Sequence, residues 1–216
     1  QLDRTLNIET NMKHSRIPFL LIFVVLVALF SHCNTPDSSG SDQPFIVATT
    51  GMVGDLVKNI AGDSVRVESL MGPGVDPHLY KASQSDIGKL AAADIIFYNG
   101  LHLEGKLTDI FEKMARSQKV VPVSRGVAQS DLIPLGENGK LHDPHIWFDV
   151  SLWKRTIDVV ETELVELSPQ HADHFRSRAQ AYRDSLTALH AWVSEQIQLI
   201  PKEQRILITA HDAFSY

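Results

Sequence analysis

Three histidines occupy positions from which an imidazole could bind a metal ion: His78, His145 and His211. Two of them close the same tripeptide, Asp76-Pro77-His78 and Asp143-Pro144-His145. Proline fixes one backbone angle and biases the aspartate before it toward an extended shape, so each of these histidines is presented from a stiffened loop. Behind His145 the apolar Ile146, Trp147 and Phe148 anchor the loop to a core. A ligand held in this way has little ordering entropy left to lose. A single loop histidine is more often a solvated or hydrogen-bonded residue, and His211 alone would be a weak signal. The repeated Asp-Pro-His is the more specific one. Converging neutral imidazoles suit Zn²⁺, Mn²⁺ or another divalent first-row ion, with a fourth ligand, typically a carboxylate, from elsewhere. His142 and Asp212 are candidate accessory groups, as an added ligand or a hydrogen-bond partner. The bland reading holds for the remaining histidines: His171, His174 and His190 form a solvated helix face, His14 and His32 belong to a leader, and His102 is ambiguous.

The elements needed to position these ligands follow in order. Residues 45–49 form a strand ended by Gly51. Residues 52–61 have helical spacing through Val53, Leu56, Val57 and Ile60, and Gly62 stops that helix. A second strand at 64–70 leads into a Gly/Pro loop that ends in His78. Ser83 caps a helix through Ala93, a third strand covers 94–98, a helix covers 107–116, and a fourth strand covers 119–123. Strands alternating with helices of this length predict a parallel sheet covered on both faces. Residues 126–141 read as loop. The helix after it carries Trp153, Ile157, Val160, Leu164 and Leu167. Ser168 is then a good N-cap, with Pro169 at the first position of a second helix. The apolar stripe of that helix runs from Phe175 to Ile200, and a run of about 30 residues is on the order of 45 Å long, more than one small lobe needs. It reads as a helix crossing to another lobe. Residues 205–210 (RILITA) read as a fresh strand closing on His211. In parallel α/β sheets ligands sit outside the carboxyl ends of the strands, and all three histidines are expected there.

The fold class is therefore α/β, two parallel-sheet lobes joined by one long rigid helix, with the second lobe only begun. The divisions are 1–32 for an upstream extension and signal peptide, 33–44 for a lipid-attachment cysteine and flexible tether, 45–168 for the first lobe, 169–201 for the linking helix, and 202–216 for the start of a truncated second lobe. The leader shows Lys13 and Arg16, an apolar run at 17–30, and Ser31-His32-Cys33, which has the order of a secretory signal. That run is shorter than the roughly 20 residues a membrane-spanning helix needs. Cys33 is the one cysteine, so an intrachain disulfide and a cysteine-based zinc finger are excluded, and its place points to lipid attachment. A net charge of −6, with Lys and Arg scattered, argues against nucleic acid. The chain is expected outside the cytoplasm, in the periplasm or on the outer face of the membrane.

Four runs carry a resemblance: residues 71–80 (MGPGVDPHLY), 99–104 (NGLHLE), 143–149 (DPHIWFD) and 209–214 (TAHDAF). Together they are similar, in the right order over residues 45–216, to the metal-binding solute receptors of bacterial zinc and manganese ABC importers. That group includes the treponemal transport receptor and the streptococcal adhesins. The resemblance implies two α/β lobes on one rigid helix, metal held between them by His78, His145 and His211, a fourth carboxylate ligand in the second lobe, and a membrane ABC permease as partner of a monomeric receptor. It implies binding and delivery, with no reaction catalysed. Manganese-specific members tend to carry Glu where His211 stands, which tilts the expectation to zinc. The His-rich loop of many dedicated zinc receptors has no counterpart in residues 126–141.

The rival is a secreted zinc-dependent hydrolase, since three histidines and an open position also make a catalytic zinc site. There is no His-Glu-x-x-His helix to support it, and Asp76, Asp143 and Asp212 each have a plainer role as loop former or cap. A surface adhesin, a name used within the family, has no independent feature here.

Overall fold

A computed structural model describes residues 43–136 and 139–216. The leader, Cys33 and most of the tether lie outside the described residues, and among those described no helix is long and apolar enough to cross a membrane.

The organising element is a four-stranded parallel sheet in the order β2-β1-β3-β4. Its strands are β1 (Phe45–Ala48), β2 (Arg66–Ser69), β3 (Ile95–Tyr98) and β4 (Lys119–Pro122). β1 pairs with β2 from Phe45 opposite Arg66 to Ala48 opposite Ser69, and with β3 from Ile46 opposite Ile95. Successive side chains of a strand point to opposite faces, and this divides the apolar runs into two cores. Ile46, Ala48, Ile95, Phe97 and Val121 face one cluster; Phe45, Val47 and Ile96 face the other. Burial on both sides explains why β1 and β3 read as continuous apolar runs.

The first core is covered by α1 (Gly51–Ala61), α4 (Val150–Leu167) and the start of α5 (Ala172–Gln198). The second is covered by α2 (Gln84–Ala92) and α3 (Thr108–Met114). Thr50 caps α1 by accepting the Val53 N–H, and Gly62 ends it at φ 57°, a left-handed angle that favours glycine. The expected cap at Ser83 is a reciprocal capping box with Asp86.

The structure corrects three expectations. Residues 126–141 are not wholly loop: β5 (Pro134–Leu135) pairs antiparallel with β6 (Leu141–His142) in a small hairpin. Ser168 is buried but its side chain makes no capping bond, because Pro169–His171 form a 3₁₀ turn before α5 starts at Ala172. The cap that does form is Asp149, which accepts the N–H groups of Ser151 and Leu152 at the start of α4. Residues 205–210 form no strand, and Ile206, Leu207 and Ile208 are exposed. A strand exists through its ladder, and no neighbour lies alongside this run among the described residues.

Candidate metal centre

The carboxyl ends of all four parallel strands contribute to one crevice. The loop after β2 brings His78, the connection after β4 returns through the β5–β6 hairpin to bring His145, and Thr49 and Asn99 stand at the ends of β1 and β3. His211 arrives on the irregular segment that follows α5.

The two Asp-Pro-His tripeptides fold alike. The Asp76 carboxylate accepts the N–H of His78 at 2.9 Å, and the Asp143 carboxylate accepts the N–H of His145 at 2.9 Å. Such aspartate turns hold the backbone two residues on. The second carboxylate does more. Asp143 Oδ1 lies 2.6 Å from His145 Nδ1, with both residues buried. An ionised carboxylate has no hydrogen to give, so in the neutral ring, the form that ligation requires, Nδ1 carries the proton and Nε2 keeps its lone pair.

That lone pair faces the other two imidazoles. His78 Nε2 lies 3.2 Å and His211 Nε2 3.1 Å from His145 Nε2. All three possible ligand atoms fall within 4.8 Å of one another. Hydrogen bonding alone uses this arrangement poorly, because one lone pair on His145 faces two rings. Nitrogens at about 2.0–2.1 Å from a tetrahedral ion would stand roughly 3.3–3.4 Å apart, close to the spacing seen. Burial lowers the pKa of His78, the imidazoles of His145 and His211 add to the effect, and Asp76 and Asp143 oppose it. His78 is thereby kept in the neutral form that ligation requires.

His211 is exposed, and its segment is fastened by side chains instead of a ladder. The Phe214 ring packs on Phe148 at 4.3 Å between centroids. Tyr216 Oη accepts the Ile133 N–H at 3.1 Å and donates to the Asp143 carbonyl at 2.9 Å. The last aromatic of the His211 segment is thus tied to the loop that carries His145.

His142 and Asp212 do not join the three imidazoles. His142 sits in β6 opposite Pro134 and lines a separate cavity of about 550 Å³ with His102 and Glu104, while Asp212 is exposed. Sequence reasoning gave no role to Thr49, Asn99, Glu104 or Tyr216. The run Asn99-Gly100-Leu101-His102-Leu103-Glu104 was the available signal for two of them.

The geometry agrees with what the chain resembles. The family model described as ZnuA, zinc-uptake complex component A, periplasmic, matches residues 46–216. The manganese-binding lipoprotein MntA of Bacillus subtilis is 46% identical over 201 residues, covering 91% of this chain and 65% of that protein. The zinc-binding protein TroA of Treponema pallidum is 42% identical over 206 residues, covering 95% of this chain and 66% of that protein. This chain therefore spans about two thirds of the length of either relative. The solved structure of the periplasmic zinc-binding TroA superposes with a TM-score of 0.77 at 46% identity, over 80% of this chain and 62% of that one.

Proposed function

The chain belongs to the ZnuA family of periplasmic zinc-uptake components, and on that premise we propose that it captures a divalent transition-metal ion with His78, His145 and His211 and delivers it to an ABC permease. The observation that carries this reading is the convergence of three imidazole Nε2 atoms, one of them fixed with its lone pair outward. The favoured ion is zinc ahead of manganese, since a set rich in imidazole suits zinc while one of carboxylates and water suits manganese. The two relatives bear one name of each kind, so the donor set is what supports the preference. The ion is cargo here. A carboxylate outside the three histidines completes its shell, and the receptor works outside the cytoplasm, tethered through a lipidated Cys33. Release follows from loss of a ligand as the lobes shift, or from protonation of the imidazoles.

Hydrolysis is the weaker reading. Asp143 is committed to the ring and backbone of His145, and Asp76 holds the backbone of His78, so both have the plainer role of loop former.

Calorimetric titration of the chain with ZnCl₂ and with MnCl₂, beside the His145→Ala variant, tests the proposal. One ion bound per chain, zinc tighter than manganese, and heat lost in the variant are expected. Binding that is absent, or unchanged by His145→Ala, would sink it.

A further inference from the structure

A buried polar cluster lies behind the histidines, where β1 and β3 end. Glu104 is 3% exposed, Asn99 1% and Thr49 0%. Glu104 Oε1 accepts the Thr49 hydroxyl at 2.6 Å and the Asn99 N–H at 2.8 Å, and Oε2 accepts the Gly100 N–H at 3.2 Å. One carboxylate so gathers the ends of β1 and β3.

Asn99 passes that order on. Its Nδ2 donates to the Gly100 carbonyl at 3.1 Å and to the Pro144 carbonyl at 3.0 Å. The Pro144 carbonyl belongs to the same peptide unit as the His145 N–H, which donates to Asp143. That unit is planar, and both of its polar ends are held, the oxygen by Asn99 and the N–H by Asp143. The direction in which His145 leaves the backbone is fixed as a result. The amide of Asn99 has one workable orientation, because turning it over would set Oδ1 against two carbonyl oxygens. Asn99 Oδ1 is left buried without a partner, a cost the orientation imposes.

The arrangement is expensive in other ways. Burial pushes the Glu104 carboxyl above its ordinary range, against the pull of Thr49, Asn99 and Gly100. Between Gly100 and Glu104, Leu101 and His102 take φ of 54° and 63°, the two positive-φ non-glycine residues among those described. Left-handed backbone is costly for residues that carry a Cβ. Gly100 itself, at φ 89°, is tightly enclosed, since a Cβ there would come within 2.4 Å of Ser124 Oγ. Apolar side chains could fill this space without those costs, but they could not hold the Pro144 carbonyl.

We infer that Glu104 is a positioning residue of the metal centre, acting through Asn99 on the Pro144–His145 peptide. This rests on the metal-binding reading above. Its test uses the full chain as wild type and as Glu104→Gln, Asn99→Asp and Leu90→Ala. Leu90 is fully buried in the opposite core and serves as a stability control. Zinc affinity is measured by competition with a chromophoric chelator, melting temperature without metal is measured in parallel, and the visible absorption of bound Co²⁺ reports the geometry of the centre. Glu104→Gln and Asn99→Asp are expected to weaken zinc binding about 10–100-fold, the usual scale for groups that orient a ligand, and to shift the Co²⁺ spectrum. Leu90→Ala should lower the melting temperature and leave both metal readouts in place. If wild type binds no metal, the metal reading fails and this inference with it. If wild type binds and the two variants match it, or lose affinity only as Leu90→Ala does, the inference alone is overturned. Should Glu104→Gln not fold, the near-isosteric Asn99→Asp decides.

Discussion

The imidazole of His145 is held from two sides, its Nδ1 by the Asp143 carboxylate at 2.6 Å and its backbone by the same oxygen at 2.9 Å. Asp76 holds only the backbone of His78. Equal tripeptides therefore predict unequal variants. Asp143→Ala should free the tautomer and rotation of a ligand ring and weaken zinc binding by roughly 10–100-fold. Asp76→Ala should cost clearly less. Parallel chelator-competition titrations check the order, and equal losses would show that the ring contact is unimportant. The repeated Asp-Pro-His was legible in the sequence because proline and aspartate act on their immediate neighbours. That one aspartate also orients its ring was not legible, because side-chain rotamers are decided by the surroundings.

At the scale of elements, the sheet edge is joined to α4 by Glu163. This residue is 5% exposed, lies 2.6 Å from Lys119 Nζ in β4, and pairs with Arg125 in the turn that follows. Burial works against its ionisation, but Lys119 and Arg125 outweigh burial and hold the carboxyl below its ordinary range. A depressed folded-state pKa gives stability that is full above the unfolded value of about 4.3 and fades as pH falls through the folded one. Glu163→Gln should accordingly melt several degrees lower at neutral pH, on the order of 2–6 °C, and the gap should narrow as pH falls below the unfolded value. Melting curves across pH check it, and a gap that does not narrow in acid would contradict it. The pairing is invisible in the sequence, since its partners lie 44 and 38 positions apart from Glu163 in a chain where Lys and Arg are scattered. The corrected elements have the same origin. The β5–β6 hairpin uses residues with no apolar alternation, and the 3₁₀ turn at Pro169 displaced the cap that Ser168 promised.

The whole molecule shows a division along α5. Phe175, Ala179 and Leu186 are buried against α1 and α4, whereas Trp192 is 58% and Leu199 73% exposed. The apolar stripe continues past the point where the lobe ends. Phe175→Ala should destabilise the fold by about 3–5 kcal/mol, the scale for an emptied aromatic site in a core. Trp192→Ala should stay within about 0.5 kcal/mol, as exposed substitutions do. Denaturant unfolding distinguishes the two, and a large loss at Trp192 would mean that this half of the helix has a packing partner.

The sequence by itself determined the alternation of strands and helices, the parallel sheet, the helix start at Ser83 and the helix end at Gly62, and the three histidines worth watching. Those features are written in short-range periodicity and in the backbone preferences of single residues, which act within a few positions. Only the tertiary structure decided that His78 and His211 both bring Nε2 within 3.2 Å of His145 Nε2, that Tyr216 ties the His211 segment to Asp143, and that Glu104 and Asn99 stand behind His145. Each of these joins residues from different strand ends or from distant loops. Such contacts exist because the sheet brings its carboxyl edges together, and no local pattern encodes them.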